Sequence, residues 1–378
     1  MNSTKEVIYS LKNLKEGKNK IAGFDMDHTL IKPGKGHRFP KTPDDMELNT
    51  PNVLSVLKKF HHKGYTIVVF SNQSPRNKEK FNNLIKRLNH VSELLHEVPL
   101  NFIVSYKYNY YRKPMTGMFD LLQTTIKEQG SKLDKKNSFY CGDAAGRPAN
   151  WLGFGNKADF SDSDLFFAHN SDITFKYPEE IFGTIRLEPS DKYYFPERPF
   201  LDCTPQPLNI QLDDRVKDPM YVIFLVGPPA SGKSQLTKLI KKTTKKTFTV
   251  IEYDAYRNKP DDAIKDAAAK GKHMILDGQN RDSAVRKQYM SYISINNEKN
   301  KNLYFVAINL TTNPAIVRQM NYFRCQSEKG SLIATVVYRT YNKYYRPPRK
   351  EEGFKEIIDY AVCPEFKGTK KKLYNYYY

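Results

Sequence analysis

No stretch of this 378-residue sequence approaches the roughly 20 consecutive apolar residues a membrane-spanning helix needs. A transmembrane protein of the helical kind is therefore not expected. The opening MNSTKEVIYSLKNLKEGKNK has no uninterrupted apolar core of the signal-peptide type, so an intracellular, non-secreted chain is expected. Cysteine is scarce. Cys141, Cys203, Cys325 and Cys363 are far apart and form no CxxC or Cys/His pattern, which argues against a zinc module and reads as four free thiols of a reducing compartment. Acidic residues fall short of basic ones, 41 against 61, for a net charge of +20. So basic a chain points to a polyanion, nucleic acid first and an anionic membrane surface second. Compositional bias toward Lys, Asn and Tyr is the competing explanation.

Glycine is absent from residues 186–218, while Pro196, Pro199, Pro205 and Pro207 crowd that stretch. Prolines at this density break regular elements and stiffen the chain. The length allows two or three domains. We therefore expect a first domain over 1–185, a stiff linker over 186–218 and a second domain over 219–378. No internal repeat relates the halves.

Residues 1–20 read as a charged, poorly committed lead-in. Beyond them, short apolar runs alternate with helical periodicity. Strands are expected at 21–24, 65–70, 101–105 and 137–141, with helices over 52–61, 76–95 and 118–128. This alternation implies a parallel sheet covered by helices, an α/β fold. Ligands of such sheets sit beyond the carboxyl ends of the strands. Four polar clusters follow the four strands: Asp25-Met26-Asp27, Ser71-Asn72-Gln73, Arg112-Lys113-Pro114 and Gly142-Asp143. Taken singly, each reads more readily as a solvated turn; their shared position carries the argument. One carboxylate of the first cluster can attack phosphorus to give an aspartyl-phosphate. The other, two residues away, can protonate the leaving oxygen and then activate water. Ser71 and Lys113 can hold phosphoryl oxygens, and Asp143 can help hold Mg²⁺.

The second half opens with an apolar run, Tyr221–Val226, and then Gly227-Pro228-Pro229-Ala230-Ser231-Gly232-Lys233-Ser234 ahead of a helical stretch. This is GxxxxGK[ST] in strand–loop–helix context. Backbone N–H groups and the helix start cradle phosphates, Lys233 reaches the β- and γ-phosphates, and Ser234 can hold Mg²⁺. ATP and Mg²⁺ are the expected cofactors. Further strands are expected at 248–251, 273–276 and 303–310. Asp254, at the end of one, can accept the proton of an attacking hydroxyl. Asp277, at the end of another, can assist the metal or simply end a turn. Arg318 and Arg324 fall in a helical stretch suited to a mobile lid; Arg324 is the candidate to neutralise charge on the transferred phosphoryl group, and a solvated face is the alternative for Arg318. Charge runs at 238–246, 346–350 and 367–372 among tyrosines suit phosphate contacts and base stacking. The tail, 373–378, is compatible with packing or fraying.

DMDHTL, FSNQ, YRKP and GDAAGRP resemble the four motifs of the haloacid-dehalogenase phosphatases. The longer phrases, YRKP with Gly117-Met118 and GDAAGRPANW with Asp159-Phe160-Ser161 and Asp164, are more specifically similar to the polynucleotide kinase 3′-phosphatase family, whose kinase half the second domain also resembles. The resemblance spans about residues 20–365. It implies two parallel-sheet domains: a haloacid-dehalogenase-like Rossmannoid phosphatase and a P-loop kinase. It implies Asp25 as nucleophile, Asp27 as general acid/base, Ser71 and Lys113 as the phosphate clamp, and Asp25, Asp27, Asp143 and Ser234 around Mg²⁺. Three positions depart from the family: His28 replaces a Gly, and Tyr253 and Tyr322 stand where arginines are usual. The expected activity is end healing, with removal of a 3′-phosphate and phosphorylation of a 5′-OH. Its substrate would be nucleic acid, DNA ahead of RNA, and a ligase the natural partner of a monomeric enzyme. The rivals are a fused small-molecule phosphatase and kinase, which the charge opposes, and a non-catalytic nucleic-acid-binding scaffold, which the intact site residues oppose.

Overall fold

The computed structural model describes residues 2–3, 6–34, 42, 44–151, 155, 157–183, 195, 203–204, 206–208, 210, 217–244, 246–256, 259–299 and 301–378. The linker expected over 186–218 lies mostly outside the described residues. Two compact units are present. One comprises Met1–Glu197, Tyr322–Leu332 and Asn375–Tyr378; the other comprises Arg198–Asn321 and Ile333–Tyr374.

The first unit is built on strands β1 (Val7–Ser10), β2 (Lys18–Phe24), β3 (Tyr65–Asn72), β4 (Leu100–Ser105), β5 (Phe139–Cys141) and β6 (Thr174–Lys176). Their order is β1-β4-β3-β2-β5-β6. Strands β2 to β6 run parallel, and β1 is antiparallel to β4. Helices α1 (Val53–His62), α2 (Lys78–Leu94), α3 (Gly117–Glu128), α4 (Ser163–Asn170) and α5 (Pro178–Phe182) accompany the sheet. Parallel strands are covered on both faces, so they read as continuous apolar runs rather than alternations. Successive residues serve opposite cores: Ala22, Val69 and Phe139 face one cluster with Leu57 and Leu88, while Ile21, Val68 and Tyr140 face the other with Phe119 and Phe167. The register pairs Phe24 with both Val69 and Cys141, so β2 and β5 end level while β3 runs three residues further, to Asn72. That alignment brings their terminal polar residues to one edge.

The lead-in is not uncommitted. Val7 and Ile8 are buried, and β1 pairs with β4 through Val7↔Ser105 and Ser10↔Phe102. Its partner is some 95 residues on, and four residues are too few to show a period.

The second unit holds β7 (Pro219–Val226), β8 (Phe248–Glu252), β9 (His273–Asp277), β10 (Asn302–Leu310) and β11 (Glu356–Tyr360), all parallel, in the order β8-β9-β7-β10-β11. Its helices are α6 (Lys233–Thr243), α7 (Asp261–Ala269), α8 (Ser283–Ile295), α9 (Pro314–Glu328), α10 (Thr335–Tyr344) and α11 (Gly368–Tyr374). From Tyr322 on, α9 falls in the first unit. The tail therefore packs at least in part: α11 ends on Tyr374, and Tyr374 and Tyr378 are buried.

Arg286 of α8 is fully buried. It is paired with Glu352 at 2.7 Å and donates to Asn280 O at 2.8 Å, which ties down the turn after β9. A buried guanidinium tolerates this position because its donors are answered by a carboxylate and by backbone oxygens.

The expectation of four free thiols is corrected. Cys203 and Cys363 form a disulfide, with Cα atoms 5.7 Å apart, and only Cys141 and Cys325 are free. A separation of 160 residues carries no spacing signal, so folding alone reveals the pair. Among the described residues no helix is long and apolar enough to cross a membrane.

Candidate active sites

In the first unit, Asp25 follows β2 and its N–H donates to Cys141 O at 2.8 Å, a bond that locks the β2 end against the β5 end. Lys113 reaches this edge from the loop before α3. Its ammonium is buried and donates to Asp25 Oδ1, Asp164 Oδ1 and Tyr140 Oη, each at 2.7 Å, and to Phe70 O at 3.0 Å. Burial alone would lower the Lys113 pKa, but Asp164 and Asp25 hold it above the usual value. The carboxylate oxygens of Asp25, Asp143 and Asp164 lie within 4.8 Å of one another. Desolvation pushes Asp25 up from 3.8 to about 7, against the pull of Lys113 and with a push from Asp164. Desolvation, then repulsion from Asp164 and Asp25, raises Asp143 well above the carboxylate range.

Two buried carboxylates, Asp25 and Asp164, and the half-buried Asp143 around one ammonium carry an excess of negative charge. Together they offer only oxygen donors, as Mg²⁺ prefers. The donor set therefore fits a divalent cation. Asp164 already accepts from Lys113 and Tyr140 on Oδ1 and from the Ala144 N–H on Oδ2, so Asp25 and Asp143 are the residues left to hold it. Asp27, also expected around the metal, stands outside this group. Its carboxylate is held by Gln73 Nε2 at 2.7 Å and by Arg87 Nη2 at 2.6 Å. Ser71, at the end of β3, is buried and its Oγ accepts from Gln73 Nε2 at 2.9 Å. Asp25, Asp27, Ser71, Lys113 and Asp143 thus lie in one hydrogen-bonded or charge-coupled neighbourhood.

Sequence reasoning gave Asp164, Gln73 and Arg87 no role. Asp164 stood only as part of a longer phrase, although Gly142 hints at it: a Cβ on Gly142 would sit 2.3 Å from Asp164 Oδ2, so glycine is what admits the carboxylate. Arg87 lies mid-helix among several basic residues, and no local pattern distinguishes it. His28 has φ +58°, the left-handed region that non-glycine residues adopt at a cost. A glycine, which the family resemblance leads one to expect there, would adopt this conformation without that cost.

In the second unit the loop from Gly227 to Gly232 joins β7 to α6, and its open backbone takes Ala230 to φ +60° and Gly232 to φ +99°. Lys233 folds back on the loop, donating to Pro228 O at 2.7 Å and to Gly227 O at 3.1 Å. Burial lowers the Lys233 ammonium to about 8, opposed by Asp277 and Asp254. Ser234 Oγ donates to Asp277 Oδ2 at 3.3 Å. The metal-assisting alternative for Asp277 is therefore the one with geometry behind it. Asp254 follows β8, exposed, on a short 3₁₀ turn. Tyr253 turns inward, its hydroxyl 2.7 Å from Asn280 Oδ1 and its ring so close to Gly278 that a Cβ there would lie 2.1 Å away. It is a core residue rather than a replacement for an acceptor-side arginine. Arg324 sits in the stretch grouped with the first unit, where Nη2 donates to Ser331 O at 3.4 Å. Lys233, Ser234, Asp254 and Asp277 share the second unit; Arg324 does not.

A family model described as polynucleotide kinase 3 phosphatase matches residues 20–182. The bifunctional polynucleotide phosphatase/kinase of Schizosaccharomyces pombe is 26% identical over 373 residues, covering 97% of this chain and 84% of that protein. The polynucleotide 3′-phosphatase of Saccharomyces cerevisiae is 30% identical over 215 residues, covering 43% of this chain and 87% of that protein. An uncharacterized 20.8 kDa protein of Autographa californica nuclear polyhedrosis virus is 41% identical over 165 residues, covering 43% of this chain and 85% of its own length.

Proposed function

The chain belongs to the polynucleotide kinase 3 phosphatase family, and from that premise we propose that it heals nucleic-acid ends by two phosphoryl transfers. The first unit removes a 3′-phosphate; the second transfers the γ-phosphate of ATP to a 5′-OH. The observation that carries the phosphatase reading is the group Asp25–Lys113–Asp143–Asp164 at the carboxyl edge of β2, β3 and β5.

In the first transfer an oxygen of Asp25 attacks phosphorus, the P–O3′ bond breaks, and the departing oxygen takes a proton from Asp27. In the second, Asp27 takes a proton from water as the water oxygen attacks phosphorus; inorganic phosphate leaves and Asp25 is restored. Lys113 and Ser71 orient the phosphoryl oxygens. Asp25 and Asp143 would hold Mg²⁺, which when bound offsets the negative charge that otherwise opposes carboxylate and phosphate meeting.

In the second unit, backbone N–H groups of 227–232 and the start of α6 cradle the triphosphate. Lys233 swings from Gly227 O and Pro228 O to the phosphates, Ser234 and Asp277 would hold Mg²⁺, and Asp254 accepts the proton of the 5′-OH. A cleft of about 590 Å³ lined by Thr311, Pro314, Ile316, Val362 and the Cys203–Cys363 bridge is assigned to the nucleoside. Its wall reaches the loop, since a Cβ on Gly232 would meet Val362 at 2.8 Å. The net charge of +20 suits a strand substrate, and the healed ends suit a ligase as partner.

The test is a DNA nick bearing 3′-phosphate and 5′-OH, with ATP and Mg²⁺, run beside an RNA nick and a free phosphosugar. Asp25→Asn should remove only the phosphatase activity and Lys233→Ala only the kinase. Faster turnover of the phosphosugar than of the nick would overturn the polynucleotide reading.

A further inference from the structure

Asp27 stands apart from the buried carboxylate group. Its side chain is one-third exposed, at 33%, and the turn carrying it continues into the left-handed His28. A carboxylate so placed has rotamers open to solvent. It is nevertheless held at both oxygens: Oδ1 accepts from Arg87 Nη2 at 2.6 Å and Oδ2 from Gln73 Nε2 at 2.7 Å. Gln73 closes the ring, since its Oε1 accepts from Arg87 Nη1 at 3.3 Å. Both anchors are themselves fixed. The Gln73 N–H donates to Ser105 O at 2.7 Å and its carbonyl accepts from Arg112 Nη1 at 2.9 Å. Arg87 projects from α2, whose Leu84, Leu88 and Val91 are buried, and its own side chain is only 15% exposed. Each Asp27 oxygen gives one lone pair to the ring and keeps another for a proton.

We propose that Arg87 is a positioning residue of the 3′-phosphatase: with Gln73 it fixes the Asp27 carboxylate in the orientation that delivers a proton to the departing 3′ oxygen. This rests on the reading of Asp27 as general acid/base. Arg87 does not bond to the reacting atoms; its two Nη groups are committed to Asp27 and Gln73. An alkoxide is a poor leaving group and needs that proton, whereas p-nitrophenolate leaves without it. The loss of Arg87 is therefore selective for leaving group and falls on kcat, whereas a folding defect lowers both substrates alike and a lost contact with the strand raises KM.

The experiment compares kcat/KM for a 3′-phosphorylated oligonucleotide and for p-nitrophenyl phosphate, which reports steps through departure of the leaving group, in wild type, Arg87→Ala, Arg87→Lys, Asp27→Asn and the Arg87→Ala/Asp27→Asn double variant. On the oligonucleotide, Asp27→Asn should lose about 10²–10⁴-fold, the usual range for a general acid. Arg87→Ala should lose about 10–100-fold through kcat with KM nearly unchanged, a fraction of that same range. On p-nitrophenyl phosphate each should lose less than about threefold, since the acid's contribution is absent there. Arg87→Lys should recover part of the loss, and the double variant should be no slower than Asp27→Asn. Equal losses on both substrates, a raised KM with kcat kept, or additive losses in the double variant would overturn the role of Arg87 while leaving Asp27 as the acid. Full oligonucleotide activity in Asp27→Asn would overturn the acid/base reading itself.

Discussion

Without a metal ion the phosphatase unit should lose stability as pH rises, and Mg²⁺ should cancel that loss. Asp25 holds its proton to about 7 rather than 3.8 because burial, with Asp164 beside it, disfavours the charged form more than Lys113 favours it. A carboxyl whose pKa is higher in the folded state stabilises the fold fully below the unfolded value and loses that contribution as pH climbs through the folded value. The window therefore runs from about pH 4 to just above 7. The whole difference corresponds to about 4 kcal/mol at 1.36 kcal/mol per tenfold change, and the part between pH 5 and 8 to about 2–3 kcal/mol. Asp143 is raised as well and works in the same direction. A bound cation favours the ionised forms, so its stabilisation must grow over the same window. The assay is urea unfolding in EDTA and in saturating Mg²⁺, followed by tryptophan fluorescence. Trp151 is the sole tryptophan; it lies in the first unit beneath the Arg147 guanidinium, 4.4 Å from its ring centroid, so the signal reports that unit. The Mg²⁺-minus-EDTA difference should be small at pH 5 and reach about 2–3 kcal/mol at pH 8. A difference independent of pH, or stability in EDTA that rises with pH, would refute the account of the buried carboxylates.

Other perturbations have equally definite signs. Lys113→Met leaves Asp25 and Asp164 facing each other without the ammonium; it should cost the first unit about 3–5 kcal/mol by urea unfolding at pH 8, with a smaller cost at pH 5. His28→Gly relieves a left-handed backbone penalty of about 1–2 kcal/mol and adds about 0.5–1 kcal/mol of unfolded-chain entropy; a net gain of up to about 1.5 kcal/mol should appear as a raised urea midpoint. Reduction of Cys203–Cys363 by a dithiol opens a loop of 160 residues, worth at most about 5 kcal/mol in the chain-entropy account. Because both cysteines line the cleft assigned to the nucleoside, the ATP KM should rise several-fold with phosphatase turnover unchanged; equal kinetics of reduced and oxidised enzyme would remove the cleft from the donor site.

How much of this was legible in the sequence depended on whether the signal is local. The parallel strands were visible because double-sided burial makes continuous apolar runs, as in Ile21–Phe24 and Tyr221–Val226. The phosphate loop was visible because glycine and lysine are demanded at fixed offsets. Asp25, Ser71, Lys113 and Asp143 could be named because each falls at or beyond the carboxyl end of an expected strand, and those ends share one edge of a parallel sheet. What was missed has its partner far along the chain. Strand β1 needs Leu100–Ser105, Cys203 needs Cys363, and Arg87 needs Asp27. Tyr253 was misleading for a related reason: a substitution at a site position invites a functional reading, whereas its ring fills space beside Gly278.

The two carboxylates at the end of β2 receive opposite treatment from the fold, and that division matches the two roles proposed for them. Asp25 is enclosed, bonded to a buried ammonium, and surrounded by Asp143 and Asp164 with more negative charge than Lys113 can balance. Such a group is ready to act as a nucleophile only once further positive charge arrives. Asp27 is kept out of that field, partly in water, and is steered by a guanidinium and an amide that leave a lone pair open on each oxygen. A proton carrier needs that access, because it must meet a leaving oxygen in one step and a water in the next. Residues two apart on one strand end project to the same side, so sequence alone places both at one edge of the sheet without distinguishing them. Burial and hydrogen-bond partners supply the distinction, and exchanging Asp25 and Asp27 in function would require moving Lys113 and Arg87 as well.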